Sequence, residues 1–259
     1  MNKMWREHAL VLALGIVFVF GCSPATKEAA TPKLFEAITA HDAATVKSLI
    51  GKFPDLVNVK DKVGNLTPLH RAAQSGDLAI AQILVGNGAD VNSRGGSGGD
   101  MTPILCCVLS KTNPELVNLL LDHGVDPNSV DSLGVTVLMK ASQMGKQDVV
   151  ELLTTKGVEV NKQDRTVLGY AALHYAVAAN NAAIVDLLIQ KGANVNAVDK
   201  DNQTPLKIAL SASEPSEEAR TADKSLGDAV KQAVANAVVK RGIDRSAVIA
   251  TLRKSGGKE

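Results

Sequence analysis

The sequence predicts an all-α solenoid: helix-turn-helix units stacked in a row, joined by turn or β-hairpin fingertips. Three observations predict it. A string near the start of each unit returns at nearly constant spacing: "TPLHRAAQSGD" at Thr67, "TPILCCVLSKT" at Thr102, "TVLMKASQMGK" at Thr136, "AALHYAVAANN" at Ala171 and "TPLKIALSA" at Thr204, at intervals of 35, 34, 35 and 33. A second string closes each unit: "LVGNGADVN", "LLDHGVDPN", "LTTKGVEVN" and "LIQKGANVN". Aromatic residues make up only 3% of the 259, against an apolar share of 45%, so Ala, Val, Ile and Leu must build the core, which suits thin, closely spaced helices.

Residues 1–21 stand apart from this pattern. Lys3 and Arg6 form a basic head, and Ala9 to Phe20 is a charge-free run of 12 residues, too short to span a bilayer as a helix but suited to an export signal. The string "VFGCSP" follows, and it resembles the lipobox of bacterial lipoprotein signals, in which a small residue precedes a cysteine. Gly21 and Cys22 match; Phe20 is an unusual neighbour. The resemblance implies cleavage before Cys22 and its acylation, giving a lipid-anchored protein of the bacterial envelope. Ser23 after the cysteine points to the outer membrane, facing the periplasm. Residues 22–31 then read as a polar tether.

Residues 32–60 read as an N-terminal capping helix pair, "LFEAITAHDAATVKSLI", in which Ala37 sits where Ala72 sits in the next unit. Residues 61–198 hold four full units. Thr67, Thr102 and Thr204 can cap a helix, and Pro68, Pro103 and Pro205 stand at the first helical position, where a missing donor costs nothing. Asn113 and Pro114 repeat the device in a second helix. Gly88, Gly124, Gly157 and Gly192 each end a helical run, where a left-handed residue is wanted. Two residues before each helix start stand Asn65, Asp100, Gly134, Gly169 and Asn202, all types that tolerate positive φ in a tight turn. Residues 199–244 read as a divergent C-terminal repeat, with an insertion at about 213–225 and its closing glycine at Gly242. Residues 245–259 read as a terminal helix and tail.

Motif, period and glycine placement together resemble the ankyrin repeat over roughly residues 31–244. The resemblance implies a protein-binding module that works through its fingertips and the concave face of its first helices. It also implies that His70 and His174 hydrogen-bond within and between units. One column of candidate contacts precedes each helix start: Leu66, Met101, Val135 and Tyr170, apolar where exposure is usual. Leu109 and Met144 extend it along the first helices. Together these six residues are the expected partner-binding stripe. The fourth fingertip, "RTVLGY", is two residues longer than its neighbours and replaces Thr-Pro by Ala171-Ala172, which makes it a second candidate contact.

Catalytic and metal chemistry find little support. The glycines of "RGGSGGD" (Arg94 to Asp100) lack the Gly-Lys-Ser/Thr ending of a phosphate loop and read as a lengthened fingertip. Cys106 and Cys107 align with Arg71 and Ala72. Neighbouring Cα atoms lie about 3.8 Å apart, too close for an unstrained disulfide. Two adjacent thiols also make a poor metal site. No cofactor or metal is expected. Removing Lys3, Arg6 and Glu7 leaves 26 basic and 26 acidic residues, against a nucleic-acid footprint. The expected function is thus a non-catalytic, monomeric module that binds or scaffolds another envelope protein. The alternatives are an immunity or inhibitor protein against an envelope-acting toxin and, in another class, a thiol redox or enzyme role through Cys106 and Cys107.

Overall fold

A computed structural model describes residues 27–96, 101–110, 113–211 and 245–259. The expectations placed on Cys22, the signal segment, Asp100, the insertion at 213–225 and Gly242 lie outside the described residues. Twelve α-helices are described and fall into pairs. The first helices are α1 (Lys27–Thr39), α3 (Pro68–Ser75), α5 (Pro103–Leu109), α7 (Val137–Gln143), α9 (Ala172–Ala178) and α11 (Pro205–Ser211). Their partners are α2 (Ala43–Lys52), α4 (Leu78–Gly86), α6 (Pro114–Asp122), α8 (Gln147–Thr155), α10 (Ala182–Gln190) and α12 (Ser246–Lys254). First helices pack on first helices and second on second along the row, giving two layers. This is the all-α repeat solenoid that the period predicts. Among the described residues no helix is long and apolar enough to cross a membrane.

The repeat is legible in the packing. Leu69, Ile104, Leu138, Leu173 and Leu206 occupy one buried column, and Ala72, Cys107, Ala141, Ala176 and Ala209 another. A single helix pair cannot bury such a face; each pair is closed by the next. In the second layer Ile80/Leu84, Leu116/Leu120, Val149/Leu153 and Ile184/Leu188 repeat at four-residue spacing, all fully buried. Each of these four helices is closed by a left-handed glycine four residues after its last buried residue, such as Gly88 at φ 84° and Gly192 at φ 88°.

The structure departs from the sequence reading at both ends. Residues 27–31 lie in helix α1 rather than in a tether, and Ala30 is already in the core. At the other end, α12 is not an appendage. Val248 and Leu252 repeat the buried four-residue pair, Gly256 closes the helix at φ 85°, and the Gly257 amide reaches the Leu252 carbonyl at 2.8 Å. The same six-to-one bond joins Ala89 to Leu84 and Ala193 to Leu188. Helix α12 is therefore the second helix of the fifth unit, packed against α10 and α11, and that unit closes at Gly256. Val238 to Gly242 has the same spacing as Leu252 to Gly256, so spacing alone could not choose between them.

Adjacent units are also joined by a ladder of asparagines in the return loops. Asn58 accepts from the Asp90 amide at 2.8 Å and donates to the Gly88 carbonyl at 3.0 Å. Asn161 does the same with Asn194 and Gly192, and Asn128 accepts from Glu159. Asn92 donates to the Gly124 carbonyl at 3.2 Å.

Candidate protein-binding surface

The fingertips are hairpin turns built on an aspartate. In the first, third and fifth, Asp61, Asp131 and Asp199 accept from two amides of their own turn through Oδ1, and each aspartate amide bonds the carbonyl that closes the turn. Asp164 does likewise with the amide and hydroxyl of Thr166. Left-handed residues follow as the sequence requires: Asn65, Gly134, Gly169 and Asn202 all have positive φ. The second fingertip lacks the aspartate, and Gly95 and Met101 exchange two backbone hydrogen bonds instead.

Neighbouring fingertips also bond to each other. The Gly96 amide donates to the Gly64 carbonyl at 2.9 Å, Arg165 to Leu133 at 2.7 Å and Lys200 to Leu168 at 2.9 Å. The approach is so close at Gly95 that a Cβ there would stand 2.6 Å from the Asn65 carbonyl oxygen and 2.9 Å from Leu66 Cδ2. Glycine is needed at this position because one backbone lies on another.

That contact decides where the expected stripe lies. Leu66 is buried under Gly95, and Val135 belongs to the continuous core; both are only 4–5% exposed and offer no area to a partner. Met101, Leu109 and Tyr170 are half-buried, and Met144, just after α7, is exposed. Leu66 and Val135 point inward, their carbonyls paired with the amide of the aspartate that opens the turn. The apolar side chains that face solvent stand two to three residues earlier, at the tips: Val63 (91% exposed), Leu133 (56%), Val167 (85%) and Leu168. Sequence reasoning missed them. Their signal is their place between the turn aspartate and the left-handed residue, where no neighbouring unit can cover a side chain.

On two of the first helices, the side chain four places after the helix start reaches back to the fingertip aspartate. Arg71 donates from Nε and Nη2 to Asp61 Oδ2 at 2.9 and 2.5 Å, and the Tyr175 hydroxyl donates to Asp164 Oδ2 at 2.6 Å. Burial pushes the Asp61 carboxyl up, but the Gly64 amide, Arg71 and the Leu66 amide together hold it below its ordinary value. Burial, reinforced by the bond to Asp164, raises the Tyr175 phenol. Tyr170 stacks on His174 with ring centroids 5.2 Å apart and meets Tyr175 edge-on at 5.6 Å.

The histidines serve the frame. His70 Nδ1 accepts from the Thr67 amide at 3.2 Å, and its Nε2 donates to the Met101 carbonyl of the next unit at 2.9 Å. His174 repeats this with the Ala171 amide and the Ala197 carbonyl. Burial pushes both rings below their ordinary value, so both are neutral. The third unit has Met139 at this place, its sulfur accepting from the Thr136 amide at 3.3 Å. Cys106 and Cys107 are fully buried; burial pushes the Cys106 thiol up to about 12 and Cys107 higher still. A thiol is reactive as its thiolate, so neither is placed for redox chemistry in the folded protein. Among the described residues no three metal-ligating side chains cluster.

Residues 18–95, 95–164 and 138–218 match the family described as ankyrin repeats (three copies). The chain belongs to the ankyrin-repeat family. Such repeats are generally non-catalytic modules for protein–protein interaction. The chain is 28% identical over 181 residues to the ankyrin repeat protein FPV230 of fowlpox virus, covering 69% of this chain and 92% of that protein. It is 36% identical over 106 residues to the E3 ubiquitin-protein ligase Ufd4 of Drosophila melanogaster, covering 41% of this chain. It is 29% identical over 166 residues to human neurogenic locus notch homolog protein 1, covering 64% of this chain. The chain spans only 4% of the ligase and 6% of the notch homologue, so it shares a repeat array with them and little else of their length.

Proposed function

We propose that this ankyrin-repeat solenoid is a monomeric, non-catalytic binding module, lipid-anchored through Cys22 to a bacterial envelope and facing the periplasm, where it holds another envelope protein. The observation that supports binding is the row of bare apolar tips at Val63, Leu133, Val167 and Leu168, on turns that their neighbours brace. A soluble surface rarely keeps aliphatic side chains at such exposure in one row without a use. Met144, Tyr170 and Leu109 would line the partner's path along the first helices.

The anchor rests on the "VFGCSP" string. Acylation stabilises attachment by about 0.8 kcal/mol per buried methylene, and more than one chain makes a stable anchor.

Two experiments test the reading. Crosslinking in cells, followed by mass spectrometry, identifies the partner; Leu133→Asp with Val167→Asp is expected to abolish that crosslink while leaving the melting temperature unchanged. A crosslink that survives both changes refutes the binding surface. Cys22→Ala is expected to move the protein from the membrane fraction to the soluble one; retention in the membrane refutes the anchor.

A further inference from the structure

The chain is balanced in charge, with 28 basic and 27 acidic residues, but the charge is not evenly spread. On the fingertips the acids turn inward. Asp61, Asp131, Asp164 and Asp199 hold their own turns and are buried or half-buried. The bases turn outward: Lys60, Lys62, Arg94, Arg165 and Lys200 are exposed. Among the described fingertip residues Asp201 is the one exposed carboxylate. The first helices α3, α5, α7, α9 and α11 contain no Asp or Glu, and Lys140 of α7 stands at the place of Arg71. Acids collect on the second layer instead, where Glu115, Asp122, Asp148, Glu151 and Asp186 are exposed. The fingertip side is therefore a cationic ridge on a neutral protein, and such a field draws and orients a partner of opposite charge.

The cations of the ridge are held in place from unit to unit. Lys60 Nζ donates to the Arg94 carbonyl at 3.0 Å, Arg94 Nη2 to the Val130 carbonyl at 3.2 Å, Lys162 Nζ to the Asn128 carbonyl at 3.3 Å, and Lys200 Nζ to the Thr166 carbonyl. A carbonyl accepts one N–H but leaves the charge in place, and each ammonium or guanidinium keeps further N–H groups for a partner. Of these four, Lys162 also faces a carboxylate, Glu159 at 3.8 Å. The bare aliphatic tips Val63, Leu133, Val167 and Leu168 stand among these cations. Charges fixed at the spacing of the repeat lose little freedom on meeting a partner of matching spacing, whereas fluid lipid headgroups gain nothing from that order. Tyr170, the one aromatic side chain on the described fingertips, is half-buried against His174 and gives nucleic-acid bases no platform.

We infer that the protein partner docks through an acidic segment, whose carboxylates meet the ridge of Lys60, Lys62, Arg94, Arg165 and Lys200 while its apolar side chains cover the aliphatic tips. The inference rests on the proposed binding function and names the chemistry of the partner.

Site-specific photocrosslinking of the full protein in cells tests it, with p-benzoylphenylalanine in place of Ser132, which is exposed beside Leu133 at the third tip. The crosslinked peptide, sequenced by mass spectrometry, is expected to be rich in Asp and Glu. A neutral or basic peptide, or a lipid adduct, overturns the inference. Lys62→Glu with Arg165→Glu should lower the crosslink yield about tenfold. Lys47→Glu with Lys191→Glu, an equal change of net charge at exposed sites of the second layer, should leave it unchanged. Equal loss in both pairs assigns the effect to net charge and overturns the inference, as does no loss in the first pair. Lys62→Gln with Arg165→Gln adds no repulsion and covers the case in which the glutamate pair does not fold; it should show a smaller loss of the same sign, and no loss overturns the inference. Changing the carboxylates of the crosslinked segment to lysine should restore the yield of the glutamate pair. If the charge changes have no effect while Leu133→Asp with Val167→Asp still abolishes the crosslink, the acidic segment is wrong and the binding surface stands.

Discussion

Asn196 donates from Nδ2 to the Gly256 carbonyl at 3.1 Å and accepts through Oδ1 from the Lys258 amide at 2.7 Å, tying the fourth return loop to one 60 residues further along the chain. This is the bond pattern of Asn58 and Asn161, repeated at the last interface. Asn196→Ala removes both bonds from a partly solvated site, at a cost of about 1–2 kcal/mol. Because among the described residues α12 packs on α10 and α11 at the end of the row, the loss should appear there first. Hydrogen exchange of Leu252 and Gly257 is expected to quicken while α5 and α7 keep their protection. Uniform quickening, or none, would show that α12 is not coupled as a repeat.

The buried histidines predict a pH dependence with a definite sign. His70 and His174 both titrate below their ordinary 6.5 because burial disfavours the charged ring. The unfolded chain takes up these protons first, so their contribution is complete above about pH 6.5 and is lost as pH falls through that value toward the lower folded pKa. Met139 already replaces histidine in the third unit. His70→Met with His174→Met should therefore flatten the stability curve between about pH 7 and about pH 5.5. Urea midpoints across that range are the measurement, and an unchanged slope in the double variant would assign the effect to other groups.

Much of this architecture is legible in the sequence, because a repeat states each contact several times over. The Thr-Pro starts, the left-handed turn residues at Asn65 and Asn202, and the closing glycines need only local stereochemistry. The buried columns follow from the period. The surface is less legible. Leu66 and Val63 are three residues apart and equally apolar, and the sequence alone ranks Leu66 as the contact. What buries one and bares the other is the next fingertip crossing at Gly95, a long-range packing fact. The fifth unit is ambiguous in the sequence for a related reason: Gly242 and Gly256 satisfy the same local rule, and it is the packing of α12 on α10 and α11 that favours Gly256.

The fourth unit offers a gain in stability. Ala171 stands at the helix-start position with φ −90° and ψ 170°, close to the values at Thr67 and Thr136, but has no side-chain acceptor. Only the His174 half of the cap remains, accepting from the Ala171 amide at 3.1 Å. Ala171→Thr supplies the missing oxygen and should stabilise by about 1 kcal/mol. Ala172→Pro fills the first helical position without losing a bond. Chemical denaturation of both variants tests this; destabilisation by Ala171→Thr would mean the site cannot hold a hydroxyl.

The cysteine pair separates packing from chemistry. Cys107 stands where four other units have Ala72, Ala141, Ala176 and Ala209, so Cys107→Ala removes one sulfur from a site built for a methyl group and should cost no more than about 1.5 kcal/mol. Cys106→Ser buries a hydroxyl in an apolar seat and should cost about 1–3 kcal/mol. Thiol titration of the native protein, with Cys22 replaced, is expected to label neither residue until the chain unfolds. Rapid labelling at neutral pH would contradict the burial and revive a redox role.

The last prediction sets two glycines against each other. Gly51 lies on an exposed surface of α2, and a Cβ added there would meet nothing within 4 Å, so Gly51→Ala should stabilise by about 0.5–1 kcal/mol through helix propensity alone. Gly95→Ala meets the Asn65 carbonyl oxygen at 2.6 Å, and neither backbone can yield without breaking the Gly96–Gly64 bond. Parting those fingertips also uncovers Leu66. A destabilisation of about 1–3 kcal/mol is expected, the range of overpacking in a close contact. If Gly95→Ala is neutral, the second fingertip is not braced by the first, and the glycines before Met101 serve freedom of movement instead of close approach.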